Sequence, residues 1–400
     1  MSRAPLAALC TLSALLCASL LSCVSPVGVR ETGPIRIGIF ADLSSTGARD
    51  GNDALKGAQL RVNEANAAGG IGGRQVQLVT RDVKQNPTEA VKAFSSLAQE
   101  EKVCAVIGTA ITNAGLAVSP VADLMKTPFV SLSVDERVTT PEWKTESPDV
   151  VGLVRQYSFL IQPSASQVAT AIAAYAIDHF LVKRFATLYD SSNQISSIQA
   201  RSFERTVKSV GRLVVASEEM QQGTEAVPLA LIRTAGAEAV FICGSVEANA
   251  EAAKEVKAMG ITAILLGAQS WYAPLVDQAG DASNGAWFSM PVSPDDPGLA
   301  KLATSFSAAY GEKPRVAVIP GWDAVGVVLA AVQRAGSSDP MKVRDALEQT
   351  SRFKGLAATW DMDRKTHRPA SLPVAIMRIA SGAYLTAEQH FTPKAVKAAP

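Results

Sequence analysis

Four hundred residues, 48 % of them hydrophobic, 19 % charged and 6 % aromatic, exceed one compact core and suit two lobes or domains. The apolar content excludes disorder for most of the chain, and the collagen, coiled-coil and disulfide-scaffold compositions are not met. The formal charge of +1 falls to zero without residues 1–22, whose one charge is Arg3, and no basic run exists, so nucleic acid is excluded as the main partner.

At the N-terminus, Arg3 precedes an apolar stretch over 6–21, too short and too rich in Ala and Ser for a comfortable transmembrane helix. It ends in Leu20-Leu21-Ser22-Cys23. That ending resembles the bacterial lipobox, where a small residue precedes a cysteine that is diacylated and becomes the new N-terminus. A plain secretory signal or a short anchor is the alternative. Residues 1–22 are therefore expected to be a lipoprotein signal peptide, Cys23 the lipidation site and 23–34 a tether. Several acyl chains on one cysteine hold a protein to a membrane more firmly than one. Of the five cysteines, Cys104 and Cys243 then remain, each in a strand-like apolar run. Buried thiols are expected there, with a disulfide the alternative in an oxidising compartment. No CxxC supports zinc or dithiol chemistry.

From Ile35 onward, β-branched runs alternate with amphipathic stretches. Residues 35–40 read as a buried strand, and 53–68 as a helix with Leu55, Ala58, Val62 and Ala65 on one face. Gly69-Gly-Ile-Gly-Gly73 stops that helix. Strands follow at 75–79, 103–107 and 129–132, with helices at 87–101 and 113–125. The same grammar resumes with helices at 166–180, 198–210, 227–234 and 248–259. Between them lie strands at 185–189, 213–216, 239–243 and 263–266. This alternation predicts an α/β fold with parallel sheets covered on both faces.

Such sheets bind ligands at the carboxyl ends of their strands. Six of those ends carry hydroxyls, amides and carboxylates: Asp42-Leu-Ser-Ser-Thr-Gly47, Gly108-Thr-Ala-Ile-Thr-Asn113, Ser131-Leu-Ser-Val-Asp135, Asp190-Ser-Ser-Asn-Gln194, Gly244-Ser-Val-Glu247 and Gly267-Ala-Gln-Ser-Trp-Tyr272. Helix capping accounts for part of this enrichment, but not for Gln269-Ser-Trp-Tyr272.

Several stretches, in order, resemble type I periplasmic solute-binding proteins of the leucine/isoleucine/valine-binding branch. They are NEANAAGGIGGR, VQLVTRD with NPTEAV, the AVIG strand end, VSPVADLMKTPFVSLS, GWDAVGVVLAAVQRAG, DPMKVRDALEQT and AATWDMDRKTHRPA. The resemblance covers nearly all of 35–390. It implies two doubly wound parallel-sheet lobes joined by three crossover strands, with ligand trapped between them. Lobe 1 would be 35–160 plus 290–354 and lobe 2 would be 161–289 plus 355–390, with crossings near 159–163, 288–291 and 353–357 and a tail at 391–400. One lobe would bind the ligand first, and closure would add contacts made only in the closed state.

The resemblance also implies ligand-binding positions. Thr112, Ser133 and Asp135 correspond to the grip on a ligand carboxylate, and Ser45 and Asp50 to pocket-facing places in the first loop. Gln194 stands where the family often sets an aromatic ring, with Ser245 and Glu247 in the next loop. Gln269, with Trp271 close behind, takes the place of an acid that often meets an α-ammonium. Because Gln269 is neutral and a buried ammonium needs a counter-charge, Asp135, Glu247 or Asp50 must replace that acid, or the ligand carries no ammonium.

The implied role is that of a lipid-anchored substrate-binding protein in the bacterial envelope. It would be monomeric, capturing an amino acid or organic acid for a membrane ABC permease, without cofactor or metal. The alternative is an envelope interaction or sensory lipoprotein that kept the fold without transport. Catalytic constellations are thin. His179, His367 and His390 lack metal-ligand spacing, GxSxG is absent, and the glycine run follows a helix rather than a strand. Asp361-x-Asp363 lacks the rest of a calcium loop. No enzyme is expected.

Overall fold

A computed structural model describes residues 31–45, 47–108, 110–142, 144, 152–221 and 223–393. The signal segment, Cys23 and the last seven residues lie outside them. The first lobe opens with β1 (Ile35–Ala41), α1 (Arg49–Ala67), β2 (Val76–Asp82), α2 (Pro87–Gln99), β3 (Ala105–Gly108), α3 (Thr112–Met125), β4 (Phe129–Ser131) and β5 (Ser158–Leu160). Its five strands pair in the order β2-β1-β3-β4-β5, all parallel. Asn86 caps α2 by accepting from the Thr88 and Glu89 amides, with Pro87 at the first helical position where no amide is needed.

The second lobe follows with α4 (Ala165–His179), β6 (Arg184–Asp190), α5 (Gln194–Ser209), β7 (Leu213–Met220), α6 (Ala226–Thr234), β8 (Ala239–Cys243), α7 (Val246–Ala258), β9 (Ile264–Gly267), α8 (Leu275–Ala279) and β10 (Trp287–Met290). A capping box between Ser164 and Gln167 starts α4. The chain then returns to the first lobe for α9 (Ala300–Tyr310), α10 (Val318–Ala335), α11 (Pro340–Glu348), β11 (Phe353–Lys354), β12 (Thr359–Trp360), β13 (Met362–Asp363) and β14 (Arg368–Pro369). It ends in β15 (Val374–Ala380) and β16 (Ala383–Phe391); β15 pairs antiparallel with β10 and β16 antiparallel with β15, completing a seven-stranded sheet ordered β16-β15-β10-β9-β8-β6-β7.

Each sheet is covered on both faces, as parallel strands require. In the first lobe, Ile37, Ile39 and Ile107 face α10, while Phe40, Val106 and Phe129 face α2 and α3. In the second, Phe185, Phe203 and Phe241 fill one side, and Leu188, Ile242 and Phe288 the other. The α10 helix is long and apolar enough to cross a membrane, but most of it is buried, as a core helix is. Cys104 and Cys243 are buried in different lobes and are not joined to each other.

The first two crossings fall at 161–163 and 291–292, near their expected places. The third does not. Phe353 and Lys354 pair with Trp360 and Thr359, and Trp360 and Met362 pack in the first core. Val374 and Ala375 are the first residues to enter the second. The crossing therefore runs through 370–373, and the expected crossing at 353–357 is instead the turn of a small hairpin on lobe 1.

Candidate functional site

A cleft of about 1200 Å³ opens between the lobes, and all three crossings line it through Ile161, Pro163, Pro291, Val292, Leu372 and Pro373. The first lobe contributes the loop after β1, the starts of α1 and α3, the loop after β4, and one face of α10; the second contributes Val246, Glu247 and the segment 269–277.

The loop after β1 is built around Asp42, which is 3 % exposed. Its carboxylate accepts from the Ser45 amide at 3.1 Å, from Gln85 Nε2 at 2.8 Å and from the Ser45 hydroxyl. Burial disfavours the charge, but these donors outweigh it and hold the carboxyl below its ordinary range. Ser45 is thereby a loop-fixing residue, whereas Asp50, in the exposed first turn of α1, lines the cleft. At Gly51 a Cβ would stand 2.0 Å from the Asp42 carbonyl oxygen, so α1 can approach the loop only with glycine there.

After β4 the hydroxyls turn inward. Ser131 Oγ accepts from the Ser133 amide and Ser133 Oγ from the Asp135 amide, each at 3.1 Å. Asp135 accepts from the Arg137 amide at 2.9 Å and from its guanidinium at 3.0 and 2.5 Å. Ser133 and Asp135 are 1 % and 0 % exposed; Leu132 and Val134 face the cleft instead. Asp135 is thus committed to Arg137, and of the three acids considered for the place of Gln269 only Asp50 and Glu247 line the cleft. Its buried carboxylate also raises the Arg137 guanidinium still further above its ordinary range.

Arg137 reaches across to the second lobe, donating to Gln194 Oε1 at 2.5 Å. Beside it, Glu136 accepts from the Ser166 amide at 3.0 Å and from its hydroxyl. Gln194 therefore belongs to an interlobe contact outside the cleft lining. Thr112 opens α3, whose neighbours Ala110 and Ile111 line the cleft while Thr112 does not.

In the second lobe, Ser245 caps α7 through the Ala248 amide at 3.2 Å. Glu247 lines the cleft, its carboxyl held low by its own amide, Ser245 and Gln278 against the cost of burial. Gln269 also lines it and accepts from Gln199 Nε2 at 3.2 Å. Trp271 is fully buried, with Nε1 donating to the Ile242 carbonyl at 2.8 Å. Its ring lies where a Cβ of Gly267 would be, 2.1 Å away. Trp271 is a core residue; the aromatic side chain that this loop presents to the cleft is its neighbour Tyr272, packed on Tyr384 with centroids 4.7 Å apart.

Of the ten expected positions, the structure brings Asp50, Glu247 and Gln269 to the cleft. Asp277, Arg315, Asp323 and Trp360 line it as well and were missed. Asp323 carried a legible signal, being the only acidic residue in the apolar helix α10. It accepts from the Leu356 amide at 3.0 Å, and burial raises its carboxyl to about 7 against that amide and the Arg61 charge. Arg315 carried none: its pairing with Asp53 at 2.6 and 2.5 Å spans distant sequence. Among the described residues no group of three or more His, Cys, Asp or Glu could hold a metal ion.

A model of the periplasmic binding protein family matches residues 34–383. The leucine-, isoleucine-, valine-, threonine- and alanine-binding protein of Pseudomonas aeruginosa is 24 % identical over 317 residues, spanning 78 % of this chain and 82 % of that protein. Among solved structures, the branched-chain amino acid transporter substrate-binding protein of Streptococcus pneumoniae, in complex with isoleucine, superposes with a TM-score of 0.72 at 24 % identity over 90 % of this chain and all of that one. An ABC transporter solute-binding protein of Rhodopseudomonas palustris, in complex with 3,4-dihydroxybenzoic acid, gives 0.72 at 17 % identity over 91 % and 98 % of the chains.

Proposed function

Since the chain belongs to the periplasmic binding protein family, we propose that it is the extracytoplasmic substrate-binding lipoprotein of an ABC importer, which captures a small amphiphilic solute by closing its lobes and presents it to a membrane permease. One observation carries the reading. The cleft is floored by the three crossings and walled by both lobes, so a ligand touching both walls binds the closed form better than the open one. That difference in affinity is what drives a hinge.

Relatives and structural neighbours named for branched-chain amino acids, and one holding an aromatic acid, support an amino or organic acid as the solute class. The cleft's apolar walls, with Ile39, Leu132, Ile161, Val246, Met290 and Ile319, suit a ligand with an aliphatic or aromatic body. Native mass spectrometry of the purified protein, then a melting screen against amino and organic acids, identifies the solute. A ligand at a hundredfold its Kd should stabilise the fold by about 2.7 kcal/mol and shorten the distance between spin labels on the two lobes. Stabilisation without shortening would refute capture by closure.

Membrane attachment is a second part of the reading, resting on Leu20-Leu21-Ser22-Cys23. Cys23→Ser should abolish palmitate labelling and move the protein from the membrane to the soluble envelope fraction. Undiminished labelling would exclude Cys23 as the anchor.

A further inference from the structure

The charges on the cleft are one-sided. Its lining holds two cationic side chains, Arg49 and Arg315, and Arg315 is already held by both oxygens of the buried Asp53. Arg137, on the loop after β4, is committed to Asp135 and Gln194. Against these stand Asp42, already held by Ser45 and Gln85, and Asp50, Glu247, Asp277 and Asp323. Among the described residues Asp50, Glu247, Asp277 and Asp323 join no ion pair, whereas the neighbouring Asp53 and Asp135 do.

The groups that would receive a ligand carboxylate are correspondingly weak. The Ser131 and Ser133 side chains are buried outside the cleft lining, and Ala110, Ile111, Leu132 and Val134 present alkyl groups to the cleft. The N-terminal turns of α1 and α7 carry Asp50 and Glu247, which offset the positive helix ends that would attract an anion.

Asp323 differs from the other acids. It stands inside α10, where no helix end accounts for a carboxylate, and it accepts from the Leu356 amide. The same cleft is lined by the apolar side chains of Ile319, Ala357, Ala358 and Trp360. Arg61 acts on it only from a distance and makes no ion pair with it among the described residues; a carboxylate so placed is costly to bury, and an incoming cation would relieve that cost. Resting on the solute-binding reading above, we propose that the cleft selects an organic ammonium ion with an apolar body, its charged group received at Asp323, and that a carboxylate on the ligand is dispensable.

Three probes on one carbon skeleton test this: L-leucine, its decarboxylated form isopentylamine, and its deaminated form 4-methylpentanoate. Titration calorimetry on the full mature chain should find the amine within about tenfold of leucine, and the acid at least about a hundredfold weaker than the amine. Asp323→Asn, which keeps an acceptor for the Leu356 amide, should weaken the amine by at least about tenfold without lowering Tm. The inference is overturned if the acid binds as well as the amine, if leucine binds and the amine does not, or if Asp323→Asn leaves amine affinity unchanged. Spin labels on the two lobes separate this failure from failure of the underlying reading. When one of those three results is found, closure on leucine, on the acid or on a co-purified solute leaves the solute-binding reading standing, so the ammonium inference fails alone. A fixed interlobe distance with every probe and with the co-purified solute would sink both.

Discussion

Asp135 and Asp323 show how one residue type takes opposite electrostatic roles. Asp135 is fully buried but paired with Arg137 at 3.0 and 2.5 Å, so its charge is answered within the protein. Asp323 has a backbone amide and the more distant Arg61, and burial raises its carboxyl to about 7. Between the ordinary carboxylate range and that value, the folded chain keeps a proton that the unfolded chain has released. Stability should therefore fall as pH rises through this window. Asp323→Asn removes the charge and keeps the acceptor. Without ligand, it should raise Tm by a few degrees at about pH 8, where the wild-type carboxylate is ionised, and change it little at about pH 5, where it is protonated. Calorimetric scans at the two pH values check this; an equal shift at both would show that Asp323 does not titrate in the folded protein. A charge that costs stability yet faces the cleft is the trade expected of a binding residue.

At the scale of elements, periodicity located the alternating helices and strands because their apolar positions are bound to the two sheet faces. Boundaries were less legible where a helix begins in polar residues. The α1 helix starts at Arg49 rather than 53, since Arg49-Asp-Gly-Asn52 has no apolar signal, and α5 starts at Gln194 behind the Asn193 cap. The third crossing was misplaced because Phe353-Lys354 followed by Gly355 looks like a short strand entering a turn. Only the tertiary pairing with Thr359–Trp360 assigns it to lobe 1. Close packing of α1 on α10 also depends on contacts that spacing cannot reveal: a Cβ on Gly57 or Gly321 would stand 2.1 or 2.0 Å from a carbonyl oxygen of the other helix. The site was legible to the level of the loop and not the side chain. Ser133 and Ser245 choose local amides over the cleft, and the Trp271 indole turns inward because Gly267 leaves room beneath it. In the last loop the cleft receives Tyr272, one position further on.

The whole molecule must open and close about three crossings that carry Pro163, Pro291 and Pro373, whose fixed φ and missing amides limit how each strand can bend. Against that hinge stands the contact of Arg137 with Gln194, which joins lobe 1 to the start of α5. It sits on an apolar contact of the same kind, Val134 against Ala165, Ile195 and Ile198. The two members of the polar pair have separable roles. Arg137 neutralises the buried Asp135, so Arg137→Ala should cost about 3–5 kcal/mol by stranding that charge. Gln194 is exposed and its side chain contacts Arg137 across the lobes. Gln194→Ala should therefore change stability by less than about 1 kcal/mol while removing a bond made only when the lobes are together. Its signature is a broader, longer interlobe distance distribution in the ligand-free protein, with ligand affinity lowered by about two- to fivefold as the binding-competent population shrinks. Spin-label distances and calorimetry on this single variant read both quantities. Should neither move, Arg137 serves only as the counter-ion of Asp135, and closure is governed by the ligand, the apolar contact and the Glu136–Ser166 hydrogen bonds.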